Sequence, residues 1–192
     1  LELFIWSTLS HASKWSKGKY TKVYHFDTKA AVVSYLEEKH PEVWKKTSLL
    51  EMGIFATNWK WGRFAVPWEK KPDGSFLLRI PGNGDFPIPI VVPTDAGEFA
   101  YALSKVEPGK HLLAFGDLLT WEEYVKLWSK ITGHPAKFEK ATVEEHGKLL
   151  PGGFGEELGE MFAYAMDFGY WGGDPSVVYP KDVSSVPPSP IF

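Results

Sequence analysis

The strongest constraint on this chain lies in its first 55 residues, where two apolar strands are separated by a segment too long for a hairpin. Leu3-Phe4-Ile5-Trp6 is a continuous apolar run that gives way to Ser7-Thr8-Leu9-Ser10, the pattern of a buried strand ending in a polar loop. Asp27, a good N-cap residue, precedes a helix over Lys29–Lys39 whose apolar stripe is Val32, Val33, Tyr35 and Leu36. Thr47–Phe55 then reads as the second strand. A helical connection of this length is what a parallel crossover needs, so the unit is α/β in character.

The remainder carries mixed signals. Ala56–Glu69 is Trp-rich and ambiguous, Ser75–Ile80 reads as a strand ending at the turn Pro81-Gly82-Asn83-Gly84, and Ile88–Val92 is a further extended stretch. A helix is predicted from Thr94-Asp95 to about Lys105. Thr120-Trp121-Glu122-Glu123 and Thr142-Val143-Glu144-Glu145 both match the capping box, which places helices over 121–132 and 143–149. A last helix over 155–168 carries Leu158, Phe162 and Ala165 on one side, and His111–Phe115 and Ala136–Glu139 are short strand candidates. The segment from Ser184 is a Pro/Ser-rich tail.

Composition removes several classes of function. With no cysteine there is no disulfide, thiolate zinc site or cysteine nucleophile, and neither asparagine sits in a glycosylation sequon. The histidines show no metal-ligand spacing, and the acidic residues offer no identifiable glycosidase pair. A formal charge of −3 supplies no global field for a nucleic-acid backbone. No apolar run approaches the roughly 18 residues of a membrane span, and Leu1–Ser10 turns polar too soon for a signal peptide. The expectation is a cytoplasmic protein, a nuclear one remaining open, with neither nucleic acid nor membrane as partner. Nine Trp, eight Tyr and thirteen Phe exceed what simple core filling needs, which makes a flat small-molecule ligand plausible beside the alternative of a wide aromatic core.

Four groups of residues could carry chemistry. Ser7 and Thr8 lie at the carboxyl end of a parallel strand, where open α/β sheets place their ligands. His25 and Lys29, four apart, share one face of a helix and could point at one ligand, or be an exposed helix end. Trp59, Trp61, Phe64 and Trp68 are either a ligand wall or an interlobe core. Lys14, Lys17, Lys19 and Lys22, interleaved with Trp15 and Tyr20, read as a lid over an anionic ligand or as a solvated loop. The string Gly153-Phe154-Gly155-Glu156-Glu157-Leu158-Gly159 is one residue too long for a dinucleotide fingerprint, follows no strand and carries acids that would repel phosphate. It reads as a loop and helix start.

The order of these segments resembles the NmrA-like family of atypical short-chain dehydrogenases. The resemblance is carried by the strand ending Trp-Ser-Thr-Leu-Ser, by His25-Phe26-Asp27-Thr28-Lys29, by Gly53-Ile54-Phe55 followed by Asn58, and by the stretch from Gly152 to Gly169. It implies a Rossmann-type nicotinamide dinucleotide fold with a small substrate lobe, used by reductases and by redox-sensing regulators. Lys29 then resembles the lysine on the nicotinamide ribose, and His25 stands where Tyr-x-x-x-Lys enzymes have their tyrosine proton donor. Ser7 and Thr8 resemble the loop after the fifth strand, and Phe55 with Asn58 the segment that passes the nicotinamide.

The resulting expectation is a partial Rossmann-type parallel sheet over 1–55, a mainly helical substrate lobe with interleaved sheet elements over 56–183, and a tail over 184–192. No Gly-rich turn for the pyrophosphate occurs, so the chain reads as a carboxyl-terminal portion expected to bind NAD(P) weakly or not at all by itself. The functional expectation is an NAD(P)-linked oxidoreductase or cofactor-sensing regulator. The alternatives are a short relative catalysing redox-neutral isomerisation or cyclisation in an aromatic pocket, and a non-catalytic module whose sheet edge meets a protein partner or the missing half.

Overall fold

In the computed structural model the two apolar runs pair as expected. The structure describes residues 2–62 and 67–183. Strand β1 (Phe4–Thr8) is followed by the short helix α1 (Ala12–Trp15), helix α2 (Tyr24–Lys39), the single turn α3 (Pro41–Trp44) and strand β2 (Thr47–Met52). β1 and β2 are parallel neighbours, with Phe4 opposite Thr47 and Thr8 opposite Glu51. After Met52 come β3 (Ile54–Phe55), a 3-10 turn over Asn58–Trp61, β4 (Trp68–Lys70), β5 (Phe76–Pro81) and β6 (Ile88–Val91). The chain continues through α4 (Ala96–Leu103), β7 (His111–Ala114), β8 (Asp117–Leu119), α5 (Trp121–Thr132), β9 (Ala136–Ala141), α6 (Val143–Gly147), α7 (Phe154–Phe168) and β10 (Val177–Val178).

Three sheets result. The first has the order β1-β2-β7-β10 and is wholly parallel, with β1 and β10 as its edges. A second joins β3, β6 and β8, and a third joins β4, β5 and β9. The fold is α/β with a Rossmann-like parallel sheet. The larger core cluster unites Val23 and Phe26 at the start of α2 with Leu78, Ile80, Ile88, Leu113, Trp121 and the α7 residues Phe162, Tyr164 and Met166. The smaller one packs Phe99 and Leu103 of α4 on Leu50, Leu112 and Ala114. Each large side chain fully buried in such clusters contributes about 1.5–3 kcal/mol.

Two local expectations need correction. Thr47–Phe55 is not one strand: Gly53 divides it, so that β2 belongs to the parallel sheet and β3 to the second. The cause is close packing, since a Cβ on Gly53 would sit 2.6 Å from the Pro89 carbonyl oxygen, while the Gly53 N–H donates to Ala114 O at 3.0 Å. Helix α2 begins at Tyr24 and not after Asp27, whose carboxylate instead accepts from the Ser13 N–H of α1 at 3.1 Å. Both capping boxes are present: Thr120 and Thr142 accept from the Glu123 and Glu145 N–H groups, at 3.2 and 3.1 Å, and those glutamates accept in return. Each cap contributes about 1 kcal/mol.

Helix α7 ties the parts together. Its Asp167 accepts from Lys19 at 2.6 Å and Tyr20 at 2.7 Å, and from the backbone N–H groups of Asn83 and Gly84 at 2.7 and 2.8 Å. Burial would raise this carboxyl, but those donors outweigh burial and hold it at about 2. Because the folded value lies below the ordinary 3.8, its stabilisation is present above that pH and lost as pH falls towards about 2. Asp167→Asn should therefore cost about 2 kcal/mol at pH 7 and much less at pH 2, measured by urea denaturation at both; an equal loss at both would contradict the assignment.

Candidate functional site

A cavity of about 420 Å³ opens at the carboxyl ends of β1 and β2, the edge at which parallel sheets bind ligands. Ser7 and Thr8 reach it from β1, His25 and Lys29 from the first turns of α2, and Phe55, Asn58 and Trp61 from the segment after β2. Trp61, 72% exposed, stands at the rim. Phe154, Leu158, Met161 and Phe162 of α7 form the opposing apolar wall, and Tyr170 completes it. The structure thus brings seven of the sequence-derived candidates to one cavity.

Two of the other three, Trp59 and Trp68, do not line it. Trp59 is 55% exposed with the Lys60 ammonium 5.6 Å from its ring. Trp68 stacks on Trp128 at 4.5 Å and meets Phe76 and Tyr124, so its contacts belong to the packing of α5 on the third sheet. Phe64 lies outside the described residues.

Glu157, which the sequence reading does not single out as a site residue, holds His25 in place. One of its oxygens, Oε1, lies 2.6 Å from His25 Nδ1 and also accepts the His25 backbone N–H at 3.0 Å. The carboxylate therefore covers the amino end of α2, supplies the negative charge that a helix start favours and orients the imidazole. With Nδ1 engaged, Nε2 is the nitrogen left for a ligand. Glu160 continues the cap by accepting from the Lys22 N–H at 2.8 Å. The only hint in the sequence is a pair of acids, Glu156 and Glu157, at the start of an apolar helix.

Lys29 follows one turn after His25. Trp6 Nε1–H donates to the Lys29 carbonyl at 3.4 Å, which ties this turn to β1. The Lys29 ammonium lines the cavity and makes no ion pair among the described residues. Tyr170, the one tyrosine at the cavity, is committed elsewhere: its hydroxyl donates to Met52 O at 3.1 Å. Burial, with help from Glu51, pushes that hydroxyl far above the ordinary value, so it stays protonated. The other titratable side chains in the lining are His25 and Lys29.

The lysine-rich loop is anchored to α7. Lys19 pairs with Asp167 at 2.6 Å and Lys22 with Glu156 at 2.5 Å. Gly155 lets α7 begin against α6, since a Cβ there would lie 2.8 Å from Gly147 O. The Gly-x-Gly string is a packing device at a helix start.

The profile of the NmrA-like family matches residues 2–186. The chain belongs to the NmrA-like family. No curated protein sequence matches it closely enough to count. Among solved structures, isoflavone reductase superposes with a TM-score of 0.70 at 15% identity, covering 100% of this chain and 64% of that one. The negative transcriptional regulator NmrA in complex with NAD gives 0.63 at 18%, covering 85% and 51%. Leucoanthocyanidin reductase with NADPH, from Vitis vinifera, gives 0.60 at 16%, covering 96% and 61%. At such identities the likeness establishes the fold, and the chain spans between half and two thirds of these structures. Among the described residues no helix is long and apolar enough to cross a membrane, and no cluster could hold a metal ion.

The dyad supports a stability prediction. Glu157→Ala strands the His25 N–H and should cost about 2–3 kcal/mol, whereas Glu157→Gln keeps an acceptor and should cost less than half of that. Chemical denaturation distinguishes them; equal losses would show that the carbonyl oxygen of Gln cannot replace the carboxylate.

Proposed function

We propose that the His25–Lys29 cavity receives the nicotinamide end of NAD(P) together with a small, flat substrate, and that the complete protein is an NAD(P)-linked oxidoreductase. The observation that carries this reading is the Glu157-held imidazole of His25, one helical turn from the unpaired ammonium of Lys29, facing an apolar wall. In this reading residues 1–55 are the remaining Rossmann-like part and 56–183 the substrate lobe with interleaved sheet elements, of which β7 and β10 join the parallel sheet.

The residues fit one end of the cofactor. Lys29 and Ser7 could hold ribose hydroxyls, Asn58 a carboxamide, and Phe55 the face of a ring. The pyrophosphate has no partner here, because the sequence contains no Gly-rich turn between a strand and a helix. The rest of the dinucleotide site is then supplied from outside these residues, and NAD(P) binds this chain weakly. A bound nicotinamide would supply or accept the hydride. His25 Nε2 would give its proton to a substrate carbonyl oxygen as negative charge develops there, or take it from a hydroxyl in the reverse direction. Glu157 compensates the imidazolium through Nδ1–H, and the ammonium of Lys29 stabilises developing oxyanion charge. The apolar wall excludes water from the reacting atoms.

A second reading, a cofactor-sensing regulator, is favoured by the half-site itself, because a site that only recognises the nicotinamide needs no committed proton donor. The two separate by substitution. Calorimetric titration with nicotinamide mononucleotide should show binding that Lys29→Met weakens about tenfold, roughly 1.4 kcal/mol. In the protein joined to its cofactor-binding remainder, His25→Phe should abolish turnover and leave cofactor affinity within about twofold if His25 is the proton donor. Unchanged turnover would leave the sensing role. Micromolar binding of NADPH by these 192 residues alone, about −8 kcal/mol, unaffected by Lys29→Met, would overturn the location of the site.

A further inference from the structure

One buried acid of the parallel sheet is not used by the His25–Lys29 cavity. Glu51 stands near the end of β2 with no solvent exposure. Its Oε2 lies 3.0 Å from Nε2 of His111, the first residue of β7, and its other oxygen accepts from no described side chain. Nδ1 of the same ring faces Ser176 Oγ at 3.3 Å and Asp174 Oδ2 at 3.9 Å. The imidazole thus joins two neighbouring strands to the turn that precedes β10.

That turn lies between two firm anchors. Before it, Gly172 is packed against Trp15 and the Tyr164 hydroxyl, with no room for a Cβ. After it, Pro180 is buried and Tyr179 meets the rings of Phe115 and Trp171. In between, Gly173, Pro175 and Ser176 are exposed, and β10 pairs with β7 at two positions, Val177 with His111 and Val178 with Leu112. The turn is bonded to itself, since Asp174 accepts from the Ser176 N–H and hydroxyl at 2.8 and 2.7 Å. It can therefore move as a unit once His111 lets go.

The charges around Glu51 leave it one counter-ion. It faces His111 of β7, Asp174 of the turn, Tyr164 of α7, Tyr170 and the backbone of Ser10. The cavity that His111 and Asp174 line also receives His11, Lys14 of α1, Glu37 of α2, Lys45 after α3, and Lys110. Of the groups facing Glu51 itself, only His111 can become positive. Burial pushes the Glu51 carboxyl above the ordinary carboxylate range, His111 opposes this, and Asp174 adds to it. One proton shared by carboxyl and imidazole leaves a buried pair without net charge. Its loss leaves a buried carboxylate, repelled by Asp174, that only water can compensate.

We propose that Glu51, His111 and the Asp174–Ser176 turn form a proton-dependent latch on the edge of the sheet. With the proton in place, residues 173–178 are held against β7. On its loss they swing out between their anchors, admit water to Glu51 and widen the cavity of about 480 Å³ that His111, Asp174 and Ser176 line. The sign follows from linkage: a carboxyl raised in the folded state contributes stability that is lost as pH rises, the reverse of Asp167.

Amide hydrogen exchange of the intact chain, expressed as protection factors, tests the latch between about pH 6 and about pH 9, above the range in which Asp167 titrates. Protection at Val177 and Val178 should fall tenfold or more across that interval, while protection at Leu49 and Leu50 changes less than threefold. Glu51→Gln, which keeps an acceptor for the imidazole and removes the charge, should flatten the dependence at Val177 and Val178. In the unsubstituted protein the carbon-13 resonances of the Glu51 carboxyl or the His111 ring should titrate with the midpoint of the protection loss. Constant protection at Val177 and Val178, an equal loss at Leu49 and Leu50, or no titration at either group in step with the exchange would overturn the latch. So would a dependence that survives Glu51→Gln with the fold confirmed by its far-UV spectrum.

Discussion

The structure depends on a polar seam along one side of α7. Glu156, Glu157, Glu160, Tyr164 and Asp167 fall within about 100° of one another on the helix, and all meet the segment from Ser10 to His25. Tyr164, fully buried, shares a hydrogen bond of 3.0 Å with Ser10, which also donates to Tyr170 O at 2.7 Å. An apolar helix face would have packed there without fixing where α2 begins. Directional bonds do fix it, because the first N–H groups of α2 have no partner within their own helix.

From that seam follow the positions of the cavity residues. Glu157 sets the start of α2 and the orientation of His25 together, and helical geometry then brings Lys29 to the same cavity one turn later. The apolar residues of α7 that flank the seam close the cavity, so the helix acts at once as cap, as wall and as the link from the parallel sheet to the turn at Asn83 and Gly84. Energetically the seam is uneven. Lys22–Glu156 is half exposed and contributes little, whereas Asp167 and Glu157 are largely withdrawn from water and resist losing their donors.

Much of this was legible in the sequence because it was local. The apolar runs of β1 and β2, the two capping boxes and the length of the crossover gave the parallel α/β unit, and the carboxyl ends of its strands indicated where Ser7, Thr8, His25 and Lys29 would gather. What escaped depended on distant partners. The break at Gly53 answers to the backbone of Pro89, and the early start of α2 answers to acids more than 130 residues away. Trp68 has the composition of a ligand wall, but its ring partners arrive from α5 and β5. A propensity reading of Asp27 as a cap was reasonable for an isolated helix and was overridden by tertiary bonds.

Glu157 Oε1, 2.6 Å from His25 Nδ1, calls for the tautomer that carries its proton on Nδ1 and leaves Nε2 open to the cavity. Nitrogen-15 chemical shifts of the His25 imidazole, recorded at a pH where the ring is neutral, test it directly. The proton should sit on Nδ1, with reversion towards the Nε2–H form in Glu157→Leu. A dominant Nε2–H form in the unsubstituted protein, or a tautomer indifferent to Glu157, would contradict it.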